Sequence, residues 1–140
     1  MSIWFNKPTL EVINGFNDGS MIEYLDIRIT EIGDDYVRGT MPVDHRTVQS
    51  YGQLHGGASV VLAETLGSLA SILTVDFPSK KCVGLDINAN HIGAVREGIV
   101  IGTATPVHLG RSTQVWQIRI ESDKGKLVSI CRLTMAVLNG

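Results

Sequence analysis

The sequence predicts an α+β domain in which an antiparallel sheet curls around one central helix, and two observations carry that reading. The first is the run Gly57–Leu73, apolar on nearly every side and long enough for several helical turns, which implies an enclosed helix. The second is the set of alternating segments around it, two before the helix and four after, joined by short turns rich in Gly or charge. Antiparallel strands of this kind have one face to bury, and the apolar helix is what they can bury it against.

The elements follow in order. Thr9 can cap a short helix through Leu10–Asn14, which Gly15 can end in the left-handed conformation; this piece is expected to be a peripheral lid. From Asp26 to Ile32 the side chains alternate with period two, Gly33-Asp34-Asp35 supplies turn chemistry, and Tyr36–Pro42 returns as the second arm of a hairpin. A polar stretch, Asp44–Gln53, leads into the helix. Beyond it Lys81–Asn90, Gly98–Val107, Thr113–Glu121 and Lys126–Leu138 read as strands. In the third of these Trp116, Ile118 and Ile120 face one way and Gln117, Arg119 and Glu121 the other. Such a sheet has exposed edges, which dimerisation can cover.

The 140 residues suit one domain, 1–140, and a composition of 44% hydrophobic and 19% charged residues is that of a soluble globular chain. A net charge of −2, with the twelve Lys and Arg scattered, argues against nucleic acid as a partner. The start, Met-Ser-Ile-Trp-Phe-Asn-Lys-Pro, lacks the basic beginning and apolar centre of a signal peptide, so a cytoplasmic location is expected. Gly57–Leu73 approaches the length of a membrane span but carries Glu64, three Ser, a Thr and a second Gly; it reads as a core helix, with no membrane partner. Cys82 and Cys131 lack Cys-x-x-Cys or His-rich surroundings and are expected as strand thiols, with no disulfide and no metal site.

Glu64 is where chemistry is expected, because it is the only Asp, Glu, Lys or Arg between Thr47 and Val75. An ionised carboxylate in a dry interior is costly unless paired, so a chain that keeps one there uses it. Ahead of the helix stands Tyr51-Gly-Gln-Leu-His55-Gly56-Gly57, whose glycines permit close backbone approach at a helix start. Free N–H groups and the positive end of the helix dipole suit a developing oxyanion there; tight packing is the other reading of the same glycines. His55 suits orienting a substrate or capping the helix, Gln49 suits positioning a water or a carboxylate, and Ser68, one turn beyond Glu64, is placed to hydrogen-bond its carboxylate.

Spacing adds a constraint. Gly56 and Glu64 lie about 12 Å apart along a helix axis at 1.5 Å per residue, whereas a reacting carbonyl must sit about 3 Å from its oxyanion donor and close to its base or nucleophile. One chain cannot readily supply both, so the spacing predicts a two-fold dimer with two composite sites. A serine-hydrolase reading on Ser59 and His55 lacks a Gly-x-Ser-x-Gly elbow, and no Gly-x-x-x-x-Gly-Lys phosphate loop occurs.

Three segments in order, His55-Gly-Gly-Ala-Ser-Val-Val-Leu-Ala-Glu64, Val83-Gly-Leu-Asp-Ile-Asn-Ala-Asn-His91 and Leu109-Gly-Arg-Ser-Thr-Gln-Val-Trp-Gln-Ile118, resemble the hotdog-fold acyl-CoA thioesterases of the PaaI-like kind. The resemblance runs from Trp4 to Leu138 and is nearest to the bacterial 1,4-dihydroxy-2-naphthoyl-CoA hydrolases of menaquinone biosynthesis, with enterobactin-pathway proofreading thioesterases next. It implies a hotdog fold, dimers joined edge to edge, and tetramers made of two dimers. It also implies Glu64 as catalytic carboxylate, Gly56 as backbone oxyanion donor, and Gln49, His55 and Ser68 as residues that orient the thioester, the water or the carboxylate. Coenzyme A is implied to lie on Gly84, on His91, Ile92, Gly93 and Ala94, and on the loop His108, Leu109, Gly110, Arg111, Ser112 and Thr113.

The expected activity is hydrolysis of an aromatic acyl-CoA thioester, naphthoyl or benzoyl in type, to free acid and CoA, with no cofactor because coenzyme A is part of the substrate. A thioester carbonyl is electrophilic and its thiolate leaves readily, so a carboxylate with an oxyanion hole suffices, Glu64 acting as general base or as nucleophile. The alternatives are a proofreading thioesterase for carrier-protein thioesters, a hotdog dehydratase in which His91 or His55 pairs with a carboxylate, and an acyl-CoA-binding module. The retained Glu64 argues against the last, since a pure binder gains from an apolar residue there.

Overall fold

The computed structural model describes all 140 residues, Met1–Gly140. Three helices, α1 (Leu10–Gly15), α2 (Met21–Tyr24) and α3 (Gly56–Leu73), accompany six strands: β1 (Arg28–Ile32), β2 (Val37–Pro42), β3 (Lys80–His91), β4 (Ile99–Leu109), β5 (Thr113–Ser122) and β6 (Leu127–Asn139). The strands make one sheet in the order β1-β2-β4-β5-β6-β3, every neighbouring pair antiparallel. The predicted strands and hairpin are all present, and α3 packs on β2 through β6.

What seats α3 on the sheet is a stripe with helical spacing: Ser59, Leu62, Ala63, Leu66, Gly67 and Ala70 are buried. Opposite Leu66 the sheet has no side chains, because Gly39 of β2 and Gly102 of β4 are register partners. A Cβ on either would lie 2.8 Å or 2.6 Å from a Leu66 methyl, so the paired glycines form the socket into which the helix sinks. Trp116, Ile118 and Ile120 of β5, all fully buried, complete the core beneath it. At the far end of α3, buried Gln114 accepts from Ser71 Oγ (2.8 Å) and Trp116 Nε1 (2.9 Å) and donates to Thr74 Oγ1 (2.8 Å), pinning the helix to β5.

The helix is not enclosed on every side. Its second stripe, Val61, Glu64, Thr65, Ser68, Leu69 and Ile72, is only half-buried, because a single sheet covers one face of a helix and no second layer in this chain covers the other. Along this stripe lie α1 and α2. Thr9 caps α1 as predicted, accepting from the Val12 N–H at 3.3 Å. Gly15 does not end it in the left-handed conformation; the chain stays right-handed through Phe16, and the positive φ comes at Gly19 (78°). Nor is α1 merely peripheral: Ile13 is buried, and the Asn14 side chain exchanges two hydrogen bonds with the backbone of Ile29, at 2.9 and 3.0 Å, blunting the β1 edge. At the other edge β3 has no such cover, and Val83 and Leu85 are exposed along it. Cys131 faces Ala89 and Cys82 faces Val137 in the β3–β6 register, so the two thiols lie far apart within one chain.

Candidate active site

His55 caps α3 from an extended backbone, and its Nδ1 accepts the Gly57 N–H at 2.8 Å. With Nδ1 accepting, Nε2 is the ring nitrogen free to donate. The Ala58 and Ser59 N–H groups both turn to the His55 carbonyl, at 3.0 and 3.2 Å. Of the donors in this first turn, the Gly56 N–H alone is left without an acceptor in the chain. Gly56 lines a cleft of about 380 Å³ with Gln49, Gln53, Ser59, His91 and Ala94. A free donor at the positive end of an 18-residue helix is the arrangement a developing oxyanion requires.

The paired glycines pack tightly. A Cβ on Gly56 would lie 2.7 Å from His91 Nε2, and one on Gly57 2.9 Å from His55 Nδ1. Glycine therefore makes room for two imidazoles and leaves the amide bare. Gln49 accepts from the Tyr51 N–H through its side-chain oxygen, so its NH₂ remains to donate elsewhere. Arg96 holds the same loop, donating to the Tyr51 carbonyl at 3.1 Å.

Glu64 stands in a different cleft, of about 460 Å³, among Ile13, Phe16, Met21, Ile22, Leu69 and Ile72. The carboxylate is therefore not in a dry interior. It lies two residues, about 200° around the axis, from sheet-facing Leu66, which puts it on the open stripe. None of the chain's ion pairs involves it. Its Oε2 rests against the bare backbone of the β3 edge, where a Cβ on Gly84 would come within 2.7 Å. Ser68 lines the same cleft, but the expected hydrogen bond to Glu64 is not made; its Oγ lies 3.9 Å from Met135 Sδ, a contact that α3 packing imposes.

The loop His108–Thr113 is at a third place. His91 pairs with Ser129 of β6, whereas Thr113 pairs with Ala136, which separates the two segments by roughly 23 Å at 3.3 Å per strand residue. One chain thus gathers Gln49, His55, Gly56 and His91–Ala94 at the start of α3, Glu64, Ser68 and Gly84 midway, and His108–Thr113 near its end. Sequence reasoning missed the apolar wall supplied by Phe16, Met21 and Ile22. Its signal was Ser20-Met-Ile-Glu23, a helix-start pattern in which Ser20 Oγ accepts the Ile22 N–H and Glu23 accepts the Gly19 N–H, both at 3.2 Å.

Residues 51–129 match the thioesterase superfamily. The 1,4-dihydroxy-2-naphthoyl-CoA hydrolase of Escherichia coli is 54% identical over 97% of this chain and 99% of its own length. A proofreading thioesterase of Cronobacter sakazakii is 47% identical over 97% and 98%. Among solved structures, a thioesterase from Haemophilus influenzae superposes with a TM-score of 0.95 at 50% identity, covering 98% of this chain and 95% of that one. A mutant thioesterase from Pseudomonas aeruginosa gives 0.98 at 49% identity, covering 99% and 100%. A six-stranded antiparallel sheet on one long helix is, with these neighbours, the hotdog fold of a thioester hydrolase. The chain belongs to the thioesterase superfamily.

Proposed function

We propose that this hydrolase acts on an aromatic acyl-CoA thioester, 1,4-dihydroxy-2-naphthoyl-CoA or a benzoyl-type relative, at composite sites built by two copies of the chain. The observation that carries the reading is the separation of two unpartnered groups, the Gly56 N–H in one cleft and the Glu64 carboxylate in another. In a two-fold dimer the Gly56 N–H of one copy faces Glu64 of its partner, and the uncovered β3 edge is the seam along which the copies join. The apolar cleft beside Glu64, about 460 Å³, suits a compact ring system, and the Escherichia coli relative bears that substrate in its name.

Chemistry follows from the two groups. The thioester oxygen takes its hydrogen bond from the Gly56 N–H, in the field of the α3 terminus, where it strengthens as negative charge develops. Glu64 delivers or becomes the attacking oxygen, and the thiolate leaves as free CoA. Heavy-oxygen water in a single turnover separates the two routes, since only the nucleophilic one leaves label in Glu64. Gln49, His55 and Ser68 orient the reacting groups. His91–Ala94 of one copy and Gly84 with His108–Thr113 of the other hold coenzyme A, which needs no further cofactor. The enzyme works as a dimer of dimers in the cytoplasm, a reducing compartment that suits the free thiols of Cys82 and Cys131. A carrier-protein thioester is the second substrate reading, supported by the Cronobacter relative; kcat/KM for naphthoyl-CoA against an aryl carrier-protein thioester decides between them.

Subunit mixing tests the composite site. Glu64→Ala removes the carboxylate; Gly56→Pro removes the amide donor at the first helical position, where the backbone accepts proline and the ring displaces only the His91 imidazole of the same, already disabled half-site. Each variant alone is expected to be inactive on naphthoyl-CoA. A mixed dimer carries one site with both native halves and should regain about half the wild-type rate per dimer. Mixtures that stay inactive while heterodimers form would overturn the composite arrangement.

A further inference from the structure

A second apolar cleft, of about 500 Å³, adjoins the one that holds Glu64, and no step of the hydrolysis above uses it. Phe5, Pro8, Val75 and Phe77 line it, and it shares Phe16 and Ile72 with the Glu64 cleft. It is built into the fold: the Phe5 and Asn6 N–H groups both donate to the Leu73 carbonyl, at 2.8 and 3.3 Å, tying the N-terminal strap to the end of α3. Ile72 is half-buried on α3, but Phe16 follows the last turn of α1 and is 69% exposed. Its ring lines both clefts without being locked into the core.

We propose that Phe16 is a partition that determines acyl specificity. With the ring in place the cleft ends close behind Glu64 and accepts a compact acyl group; without it the two clefts merge into one apolar trough along α3 that accepts an extended alkyl chain. The occupant is the acyl tail of a thioester, because the trough is continuous with the cleft whose wall carries Glu64 and its lining is mainly apolar. This inference rests on the hydrolase reading above.

The test compares kcat/KM for naphthoyl-CoA and dodecanoyl-CoA in the wild type, Phe16→Ala and Phe16→Leu. Phe16→Ala should raise the dodecanoyl-to-naphthoyl ratio about tenfold or more, the scale on which an apolar pocket discriminates small changes in fit. Phe16→Leu, which keeps an apolar wall, should stay near the wild-type ratio. Adding Val75→Trp to Phe16→Ala refills the outer cleft and should reverse the gain, which a general loosening of the lid would not do. If Phe16→Ala turns over naphthoyl-CoA with an unchanged ratio, the partition is wrong and the hydrolase reading stands. A wild type inactive on every thioester overturns both.

Discussion

The two stripes of α3 share one helix and meet opposite surroundings. The stripe through Leu62, Leu66 and Ala70 is fully buried, socketed on the glycine pair Gly39 and Gly102, and carries no ionisable group. The stripe through Val61, Glu64, Ser68 and Ile72 is half-covered by short helices and carries a carboxylate without an ion pair. The stripe that seats the helix and the stripe that holds the unpaired carboxylate are thus separated by about half a turn of one helix. The contrast explains how the chain keeps a charge in an apolar run: Glu64 is half-buried at an open cleft and lies outside the core.

The sharpest break of that contrast is Glu64→Gln. Loss of the proposed general base or nucleophile should lower kcat for naphthoyl-CoA by about 10² to 10⁴, while the melting temperature stays the same or rises, since a half-buried charge without an ion pair is replaced by a neutral isostere. A variant with wild-type turnover would remove Glu64 from the chemistry. On the other stripe the signs reverse. Leu66→Ala should cost about 3 kcal/mol in urea unfolding, because a side chain with no exposure leaves a cavity between two strands that cannot collapse onto it. Activity per folded molecule should survive, and an equal loss of both would mean that the stripes are not independent.

This separation was only partly legible in the sequence. The strands were readable because alternation is a local signal: Trp116, Ile118 and Ile120 declare a buried face without knowledge of what covers it. Thr9, His55 and the spacing of Gly56 and Glu64 were readable for the same reason, since caps and helical rise depend on near neighbours. Which stripe of α3 would stay open was not readable. A helix apolar on nearly all sides has little contrast between its faces, so Glu64 was expected in a dry interior. Helical spacing puts Ser68 within reach of Glu64, whereas its rotamer answers to Met135 on a strand 67 residues away in sequence. The division of the site into three places depends on the register of β3, β5 and β6, which no local pattern encodes.

Gln114 sharpens the comparison where the buried stripe ends. Its side-chain oxygen takes hydrogen bonds from Ser71 and Trp116, and its amide gives one to Thr74. Gln114→Leu leaves the Trp116 N–H and the Ser71 hydroxyl unpaired in the core, which should cost about 2 kcal/mol. Thermal unfolding measures it. A neutral result would mean that the end of α3 is held by packing alone.

The smallest effect concerns the lid over the open stripe, and pH reads it. Arg46 donates to the Tyr24 carbonyl at the end of α2 (2.7 Å) and is held by Asp44 through a bidentate pair, 2.7 Å from Nη2 and 3.2 Å from Nε. The side-chain hydrogen bonds from Arg46, with a further one from its backbone N–H, hold the Asp44 carboxyl down to about 2 from its usual 3.8. Because the folded value is the lower one, the ionised form favours the fold. Its contribution is complete above about pH 3.8 and disappears as pH falls to and through about 2. The pair is partly exposed, so the effect should be modest. Melting curves of the wild type and Asp44→Asn should differ near neutral pH and converge across that acid window, other carboxylates cancelling in the difference. Since α2 carries Met21 and Ile22 into the Glu64 cleft, the variant should also bind the acyl group less tightly and raise KM more than it lowers kcat. Curves that coincide at every pH would show that Arg46 holds the lid without Asp44.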